Sequence, residues 1–224
     1  MSDHVSNSAA VSVHVLRRLP QYLNYLKSLD TREIRSISAP AIAKALQLNE
    51  VQVRKDLAIV SAAGKPRTGF ALSALINDIE SYLGYDNVNE AVLVGAGQLG
   101  RALLSYSGFE SCGLKIAVAF DADDSVVGMD IGGKKVFPVS KLKDLCKRMN
   151  IHIGILTVPA DQAQSVCDRL VDAGILAIWN FAPVHLTAPE DVIVQNENMA
   201  HSLAVLSKRL KEKRDVSGYA GQNR

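Results

Sequence analysis

Residues 91–103 read Ala-Val-Leu-Val-Gly-Ala-Gly-Gln-Leu-Gly-Arg-Ala-Leu, an apolar strand followed by three closely spaced glycines and the start of a helix. In such a run Gly95 permits the tight turn, Gly97 lets the backbone approach a diphosphate, and Gly100 lets the helix pack on the sheet. The phosphates lie at the helix N-terminus, where free N–H groups favour an anion. The stretch predicts a dinucleotide-binding unit, whose cofactor-binding residues also include Ala96, Gln98 and Leu99.

A carboxylate follows the second strand expected of such a unit. The run from Lys115 to Phe120 ends in Asp121, which lies 21 residues beyond Gly100. This is the expected position for hydrogen bonds to the hydroxyls of the adenine ribose. Because Asp123 and Asp124 follow and no Arg stands there to accept a 2′-phosphate, the sequence favours NAD(H). A glycine turn without a ligand is the alternative.

Apolar runs and helical stretches alternate from residue 91 onward. The runs cover 91–94, 114–120, 151–158, 175–181 and 192–194, and the helical stretches lie near 98–107, 140–149 and 161–173. This alternation predicts an α/β fold with a Rossmann-type, doubly wound parallel sheet. Thr157-Val158-Pro159 and Asn180-Phe181 fall where strands end, so we expect them on the nicotinamide side of the crevice, although they also suit ordinary turns.

The first 90 residues have a different, helical pattern. A first helix is predicted from Leu16, Leu19, Leu23 and Leu26, with Pro20 either near its first turn or kinking it. Two short helices follow, each with a start signal. Ser38 is a cap candidate before Pro40, and Asn49 is a cap candidate with Gln52 placed to complete a capping box. The turn at 47–49 between them predicts a helix-turn-helix.

The second of these helices has one face suited to DNA. Val53, Leu57 and Val60 should pack inward, which leaves a slim, basic outer face. A helix of this kind can enter the major groove, where Arg and Lys contact bases or phosphates. Residues 64–70, Gly-Lys-Pro-Arg-Thr-Gly-Phe, predict a hairpin wing beside it. The predicted DNA-binding residues are Val51, Gln52, Arg54, Lys55, Lys65 and Arg67. A solvated basic helix beside an ordinary hairpin is the alternative.

A further amphipathic helix connects the two parts. Leu72, Leu75, Ile76, Ile79 and Leu83 lie at helical spacing, and Gly84 ends the pattern. The last segment, from Met199 to about residue 211, has Leu203, Leu206 and Leu210 on one side. The expected divisions are therefore an arm at 1–14, a winged-helix domain at 15–84, a Rossmann domain at 85–198, a C-terminal helix at 199–213 and a flexible tail at 214–224.

Composition excludes several classes of protein. No run of 18 apolar residues occurs and the N-terminus lacks the pattern of a secretory signal, so we expect a cytoplasmic protein without a membrane association. Residues 1–84 hold 10 Lys or Arg against 7 Asp or Glu, whereas residues 85–199 hold 9 against 14. The 3 cysteines fit neither a disulfide framework nor a close-spaced zinc site, and no other metal site is expected.

An enzyme would need further groups. A dehydrogenase requires a proton donor or acceptor near the nicotinamide and enough chain to enclose a substrate. None of His152, His185 and His201 belongs to a visible motif, and only about 30 residues follow the sheet. The sequence therefore favours a protein that is not an enzyme. The alternatives are a small NAD-dependent oxidoreductase with an N-terminal oligomerisation domain and a cofactor-binding scaffold that does not touch DNA.

These residues together resemble a known family. The chain is similar, over about residues 15–210, to the Rex family of redox-sensing transcriptional repressors. The segments that carry the resemblance are Arg18-Leu19-Pro20 with Tyr22-Leu23, Val53-Arg54-Lys55-Asp56-Leu57, the three glycines, Tyr106 with Gly108-Phe109, Phe120-Asp121-x-Asp123, Thr157-Val158-Pro159 and Asn180-Phe181-Ala182-Pro183. They are spread over both halves of the chain.

The resemblance implies a function and an assembly. It implies a homodimer that binds a palindromic double-stranded operator, binds NADH and NAD⁺, and swaps its C-terminal helix between subunits. NADH is then expected to release the operator by a population shift. In the family a Tyr beside the nicotinamide, here Tyr106, meets an Asp that alternatively pairs with an Arg of the first helix. Those two positions are Asn198 and Asn24 here, so we expect a weaker switch, since a neutral pair lacks charge assistance.

Overall fold

The computed structural model describes residues 12–65, 68–197 and 199–220. These residues form two compact units, which divide between Asn87 and Val88, shortly after the predicted connector ends at Gly84. Each unit has its own buried apolar core. The two units are therefore described separately.

The N-terminal unit is a winged helix-turn-helix. Its described elements are α1 (Val13–Lys27), β1 (Ser36–Ile37), α2 (Ala39–Leu46), α3 (Glu50–Val60), β2 (Phe70–Ala71) and α4 (Leu72–Leu83). The strands β1 and β2 pair antiparallel, which ties the segment before α2 to the segment before α4. Apolar side chains from all four helices form one core, which includes Leu19, Ile42, Leu57 and Leu75.

Helix α1 differs from its expected pattern. It begins at Val13 rather than near residue 15. Of the four leucines that predicted the helix, Leu19, Leu23 and Leu26 are buried, whereas Leu16 is 40% exposed. Pro20 lies inside the continuous helix, where its missing N–H removes the hydrogen bond to the carbonyl of Leu16.

The C-terminal unit has the α/β alternation that the sequence predicts. Its described strands are β3 (Asn89–Val94), β4 (Leu114–Asp121), β5 (Asp130–Ile131), β6 (Lys134–Pro138), β7 (Ile153–Leu156), β8 (Ala177–Asn180) and β9 (Ile193–Asn196). Its described α-helices are α5 (Gln98–Ser105), α6 (Leu142–Met149), α7 (Ala160–Asp172) and α8 (Met199–Ala220). Short 3₁₀ turns lie at 107–112 and 139–141.

The strands form one sheet in the order β5-β6-β4-β3-β7-β8-β9. Neighbouring strands are parallel except for β5, which pairs antiparallel with β6 at the edge. The chain leaves β3 for β4 on one side and later returns to β7 on the other. The carboxyl ends of β3, β4 and β7 therefore meet at the point where the strand order reverses, which is where such sheets bind ligands.

The strands predicted from the sequence did not include the hairpin β5–β6. Its turn contains Gly132 and Gly133, both with positive φ, and Lys134 donates a hydrogen bond to the carbonyl of Leu104 at 2.9 Å. The two strands are very short and Lys134-Lys135 hides their apolar pattern. The Gly-Gly pair between them is the signal that predicts a hairpin from sequence.

Helix α8 extends to Ala220, beyond the expected end at residue 213. Within the part predicted to be helical, Lys208 pairs with Glu212 one turn later at 3.3 Å. All side chains of residues 201–215 are exposed. Leu203 and Leu206 are each 63% exposed, so the apolar side of this helix is not covered within the protomer.

Two of the three cysteines lie in the core. Cys146 on α6 and Cys167 on α7 are buried, whereas Cys112 is exposed, and none forms a disulfide. Burial raises the pKa of the Cys146 thiol to about 11. A thiol of this kind stays protonated and unreactive, which fits the structural role expected from the spacing.

Candidate functional site

Both helices of the helix-turn-helix begin with a side-chain cap. Ser38 Oγ accepts a hydrogen bond from the N–H of Ala41 at 3.3 Å, and Asn49 Oδ1 accepts one from the N–H of Gln52 at 3.1 Å. Gln47 adopts a left-handed conformation at the end of α2 and so permits the tight turn. These contacts confirm the predicted starts of both helices and fix where the recognition helix α3 begins.

The outer face of α3 has the predicted composition. Val51, Arg54, Lys55 and Ala58 are exposed, whereas Val53 and Leu57 are fully buried. Arg54 forms an ion pair with Glu50 one turn earlier. An exposed pair of this kind contributes at most about 1 kcal/mol, so the guanidinium remains available to a phosphate or a base edge.

Behind this face lies a buried carboxylate. Asp56 is 1% exposed and accepts hydrogen bonds from Arg18 Nε at 2.7 Å, Arg18 Nη2 at 2.9 Å, the Tyr22 hydroxyl at 2.7 Å and Gln52 Nε2 at 2.8 Å. Burial raises the pKa of Asp56, but the hydrogen bonds from its donors outweigh that effect and hold the pKa below its usual value. The carboxylate joins α1 to α3.

The predicted capping box at Gln52 is not formed. Its main-chain N–H is bound by Asn49, but its side chain points to Asp56 rather than back to the N–H of the cap. The ionised carboxylate of Asp56 attracts the Gln52 NH₂ group more strongly than the neutral N–H of Asn49 would attract the Gln52 oxygen. Gln52 remains exposed at the third residue of α3.

The wing is described on both sides of its tip. Lys65 and Gly69 exchange two backbone hydrogen bonds, each at 2.9 Å. Gly69 has φ +72, and a Cβ there would lie 2.3 Å from the carbonyl oxygen of Ile37, so only glycine fits. Arg54 and Lys65 line one groove of about 710 Å³ between α3 and the wing. The predicted contact of Arg67 lies outside the described residues.

In the C-terminal unit the glycine run forms a tight cradle after β3. Gly95 has φ +102, and a Cβ on Gly100 would lie 1.9 Å from the carbonyl oxygen of Gly95. A Cβ on Gly97, in contrast, would have no heavy atom within 4 Å. The protein's own packing therefore requires two of the glycines. The third leaves open space at the N-terminus of α5, where a diphosphate would approach the backbone.

Asp121 is held over this loop at the end of β4. Its Oδ2 accepts a hydrogen bond from the N–H of Ala96 at 2.6 Å, and its Oδ1 accepts one from the N–H of Asp123 at 2.9 Å. A carboxylate has further lone pairs after two such bonds. Asp121 can therefore accept additional hydrogen bonds from a ribose while the protein fixes its orientation.

The loop and the carboxylate open onto a cleft of about 570 Å³. The residues that line it come from the carboxyl ends of β3, β4 and β7 and from the helices beyond them: Val94, Gly95, Ala96, Gly97, Gln98, Arg101, Asp121, Ala122, Asp123, Val126, Val139, Thr157, Val158, Pro159, Gln162 and Val166. The cleft thus brings together most of the predicted cofactor-binding residues. Leu99 and Gly100 support it from α5 without lining it.

Comparison with known proteins covers both units. A family model described as "Putative DNA-binding protein N-terminus" matches residues 10–58, and one described as "CoA binding domain" matches residues 86–184. A "Redox-sensing transcriptional repressor Rex" from Bacteroides fragilis is 40% identical over 91% of this chain and 93% of its own length. The Rex of Treponema denticola is 41% identical over 89% and 95%.

The chain belongs to the Rex family of redox-sensing transcriptional repressors. Two solved relatives are similar over almost their whole length. The crystal structure of RSP in complex with beta-NAD⁺ and operator DNA has a TM-score of 0.85 at 36% identity and covers 96% of this chain and 99% of its own. That of RSP in complex with beta-NADH has a TM-score of 0.83 and covers 94% and 99%.

Two of the residues predicted at the nicotinamide side of this Rex protein also have contacts within the protein. The Asn180 side chain is fully buried and bonds to the carbonyl of Val184, the side chain of Asn196 and the N–H of Ala182. Thr157 Oγ1 donates a hydrogen bond to the carbonyl of Gly95 at 2.7 Å. Asn180 therefore shapes the loop after β8, and its predicted contact with the cofactor remains a prediction.

Two further residues predicted near the nicotinamide, Tyr106 and Phe181, form part of an aromatic cluster. Tyr106 packs edge-on to Phe109 with ring centroids 5.0 Å apart, Phe109 contacts Trp179 at 5.6 Å, and Trp179 contacts Phe181 at 4.8 Å. Tyr106 is 59% exposed. Neither Tyr106 nor Phe181 lines the cleft, so their predicted contacts with the nicotinamide remain predictions.

The predicted switch is only partly within the described chain. Asn24 is exposed on α1 and Tyr106 is exposed after α5, but Asn198 lies outside the described residues.

The sequence analysis did not identify the hydrogen-bond partners of Asp56 or the position of Arg101. Arg18 and Tyr22 are a turn apart on α1, a spacing that indicates a shared face. Arg101 directly follows the last glycine and donates a hydrogen bond to the carbonyl of Ala96 at 3.0 Å.

Within the described ranges, no helix is both long and apolar enough to cross a membrane. The same ranges contain no group of three or more His, Cys, Asp or Glu side chains that would hold a metal ion.

Proposed function

We propose that this protein is an NADH-sensing transcriptional repressor that binds a palindromic operator and is released from it by NADH. The observation that carries the proposal is the presence, in one chain of the Rex family, of a capped recognition helix and a complete glycine cradle with its carboxylate. The relatives named Rex are redox-sensing repressors, and a solved relative holds beta-NAD⁺ and operator DNA.

The DNA contacts follow from the described face of the N-terminal unit. Arg54, Lys55 and Lys65 supply positive charge beside the groove between α3 and the wing. Val51 and Ala58 leave that face slim enough for the helix to enter a major groove. Arg54 and Lys55 would contact bases or phosphates, and Lys65 with Arg67 would reach the backbone or the minor groove.

The cofactor site fits a dinucleotide on the protein's own geometry. The open space at Gly97 accepts a diphosphate against the N-terminus of α5, and Asp121 accepts hydrogen bonds from the adenine ribose. Val158 and Pro159 line the same cleft beyond β7. When bound, the cofactor brings a nicotinamide ring that is positively charged when oxidised and neutral when reduced.

We further propose that the repressor is a homodimer with exchanged C-terminal helices. The support is the exposed apolar side of α8, since Leu203, Leu206 and Leu210 need a partner to become buried. A two-fold dimer presents two recognition helices, which suits a palindrome. As a DNA-binding regulator it would act in the cytoplasm.

The output follows from a population shift. NADH and NAD⁺ bind the same cleft, so only their differential contacts with two arrangements of the dimer can change DNA affinity. A coupling free energy of about 1–3 kcal/mol, which is typical of allosteric proteins, changes operator affinity by roughly 5- to 150-fold. The repressor thus needs no chemical step.

Fluorescence anisotropy tests the proposal most directly. A labelled palindromic duplex, selected by the protein from random sequence, is titrated at moderate salt with NADH or NAD⁺ at equal concentration. We expect NADH to weaken binding by at least about tenfold and NAD⁺ to preserve it. Equal responses to the two cofactors, or binding without sequence preference, would contradict the proposal. Steady NADH turnover with a carbonyl substrate would instead support an oxidoreductase.

A further inference from the structure

The buried carboxylate of Asp56 determines the orientation of a side chain on the recognition helix. Asp56 accepts hydrogen bonds from Arg18 and Tyr22 on α1 and from Gln52 on α3. Removing a charge from water is costly unless its partners satisfy it, and here four donated bonds do so. Asp56 therefore stays ionised and fixed in place.

An ionised carboxylate accepts hydrogen bonds but cannot donate one. The Gln52 amide must therefore turn its NH₂ group toward Asp56, at 2.8 Å, and its oxygen away. A glutamine on a helix surface is ordinarily free to rotate its amide by half a turn. Gln52 is exposed, yet this neighbour defines which end of its amide faces inward.

What remains accessible on Gln52 is a carbonyl oxygen beside one N–H. This adjacent acceptor and donor match adenine, which presents its N6 amino group next to N7 in the major groove. Guanine presents two acceptors there, O6 and N7. Because one N–H is already donated to Asp56, the amide satisfies both groups of adenine but only one of guanine.

The position of Gln52 agrees with such a role. It is the third residue of α3, between the exposed side chains of Val51 and Lys55 along the chain. In helix-turn-helix proteins the residues at the N-terminal end of the recognition helix contact base edges. Gln52 is thus placed where base readout occurs rather than beyond it.

We propose that Gln52 reads an adenine in each operator half-site and that Asp56 is the positioning residue that orients its amide for this readout. The inference rests on the proposed operator binding and adds the base that is recognised. It assigns the buried network a part in specificity, in addition to the packing of α1 against α3.

The test uses the full-length protein and the palindromic duplex that it selects from random sequence. Each base pair is changed in both half-sites, and each adenine is also replaced by 7-deazaadenine, which lacks the N7 acceptor. We expect one adenine per half-site at which guanine or 7-deazaadenine weakens binding roughly 5- to 150-fold, as the loss of a bidentate contact does.

Two variants on α3 then test whether Gln52 makes this contact. Gln52→Ala should bind the adenine, guanine and 7-deazaadenine duplexes equally, and it should still fold because Arg18 and Tyr22 keep three hydrogen bonds to Asp56. Lys55→Ala is the matched control, because it should weaken all duplexes alike, lower the salt dependence by about one ion, and keep the preference. If Gln52→Ala retains the wild-type preference, the readout is wrong.

The positioning role has its own readout, the ratio of adenine to guanine affinity. Asp56→Asn lets the Gln52 amide rotate, so we expect this ratio to fall several-fold while NADH affinity is unchanged. Arg18→Lys keeps the charge but loses the two-pronged contact, and provides the same test if Asp56→Asn does not fold. Variants that weaken all duplexes equally would show that Asp56 is purely structural. A wild-type protein that selects no sequence would contradict the repressor function itself.

Discussion

In the N-terminal unit the binding face consists of side chains held from behind by a buried charge, whereas in the C-terminal unit the binding cradle is backbone and glycine. Asp56, 1% exposed, holds α3 through four donated hydrogen bonds. Around the cleft, Gly95 and Gly100 allow backbone segments to pack directly against each other, and Gly97 leaves open space for a ligand. Single substitutions should therefore lower DNA affinity partially at the first site and abolish cofactor affinity at the second.

The difference has a chemical reason. Sequence in DNA is recognised by side chains of particular donors and acceptors, so the helix must keep several of them in defined orientations. A diphosphate is the same in every copy of the cofactor, and backbone N–H groups at a helix N-terminus bind it without any side chain. The two sites differ because the helix must discriminate among base sequences, whereas the cradle must fit a diphosphate that NADH and NAD⁺ share.

The cradle should fail completely when its open space is filled. We expect Gly97→Val to lower NADH affinity at least about 100-fold, because the added methyl groups occupy the space needed by the diphosphate. Its thermal midpoint should stay close to that of the wild type, since a Cβ there meets no protein atom within 4 Å. Isothermal titration calorimetry with NADH measures the effect.

Gly100→Ala is the contrasting variant for the same loop. Its Cβ would lie 1.9 Å from the carbonyl oxygen of Gly95, so both cofactor binding and the thermal midpoint should fall.

DNA binding by Gly97→Val should persist but no longer respond to NADH. A response to NADH in Gly97→Val would show that the diphosphate does not lie in this cradle.

The recognition helix should show graded losses instead. Arg54→Ala removes an exposed guanidinium from α3, and a contact of this kind to a base is worth about 1–3 kcal/mol. We therefore expect roughly 5- to 150-fold weaker operator binding in an anisotropy titration. NADH affinity should be unchanged, because Arg54 lies in the other unit. Unchanged operator affinity would remove α3 from the interface.

The buried network also makes the N-terminal unit sensitive to alkali. Burial and the hydrogen bond to Asp56 raise the pKa of Tyr22 to about 12. Because this pKa is raised above its value of about 10 in the unfolded chain, the stabilisation is complete below pH 10 and is lost as the pH rises through 12. By pH 11.5 the wild type should lose about 2 kcal/mol of unfolding free energy through this group.

Tyr22→Phe provides the reference for that loss. Urea unfolding followed by circular dichroism should show the stability difference between wild type and Tyr22→Phe shrinking as the pH rises from 9 to about 11.5. Absorbance of tyrosinate should show a late-titrating tyrosine in the wild type that is absent from Tyr22→Phe. A constant stability difference would mean that Tyr22 ionises like an exposed phenol.

The smallest effect concerns the coupling between the two units. Asn24 and Asn198 stand where the family resemblance implies an Arg and an Asp. Combining Asn24→Arg with Asn198→Asp should increase the ratio of operator affinities without and with NADH by about 1 kcal/mol, roughly fivefold. Each single substitution should change the ratio less, so a double-mutant cycle measures the pair. Additive effects would exclude a direct pairing.

Much of this fold follows from local sequence signals. Ser38, Asn49 and the glycine run each act within a few residues of chain, and the structure has the helix starts and the turn that they predict. The hairpin β5–β6 was missed because β5 has only two residues and Lys134-Lys135 begins β6 with two charged side chains. A short strand carries too few alternating side chains for a periodic pattern.

Side-chain orientation depends on neighbours that the local sequence does not show. Gln52 matched a capping box, but Arg18 and Tyr22, more than 30 residues away, make Asp56 a stronger partner. Asn180 follows a strand at the expected edge, but whether its amide turns inward depends on Val184 and Asn196 after folding. Local patterns locate a residue on an element and do not determine which neighbour its side chain selects.

Helix α8 has a consequence for how the repressor responds to its own abundance. Its 22 residues extend about 33 Å, and a helix whose apolar side is uncovered has little intrinsic stability in water. In the proposed homodimer its order would come from the second subunit, which would tie folding of this segment to protein concentration by mass action. At low cellular copy number, operator occupancy should rise with the square of the concentration, so synthesis rate becomes a second input beside NADH.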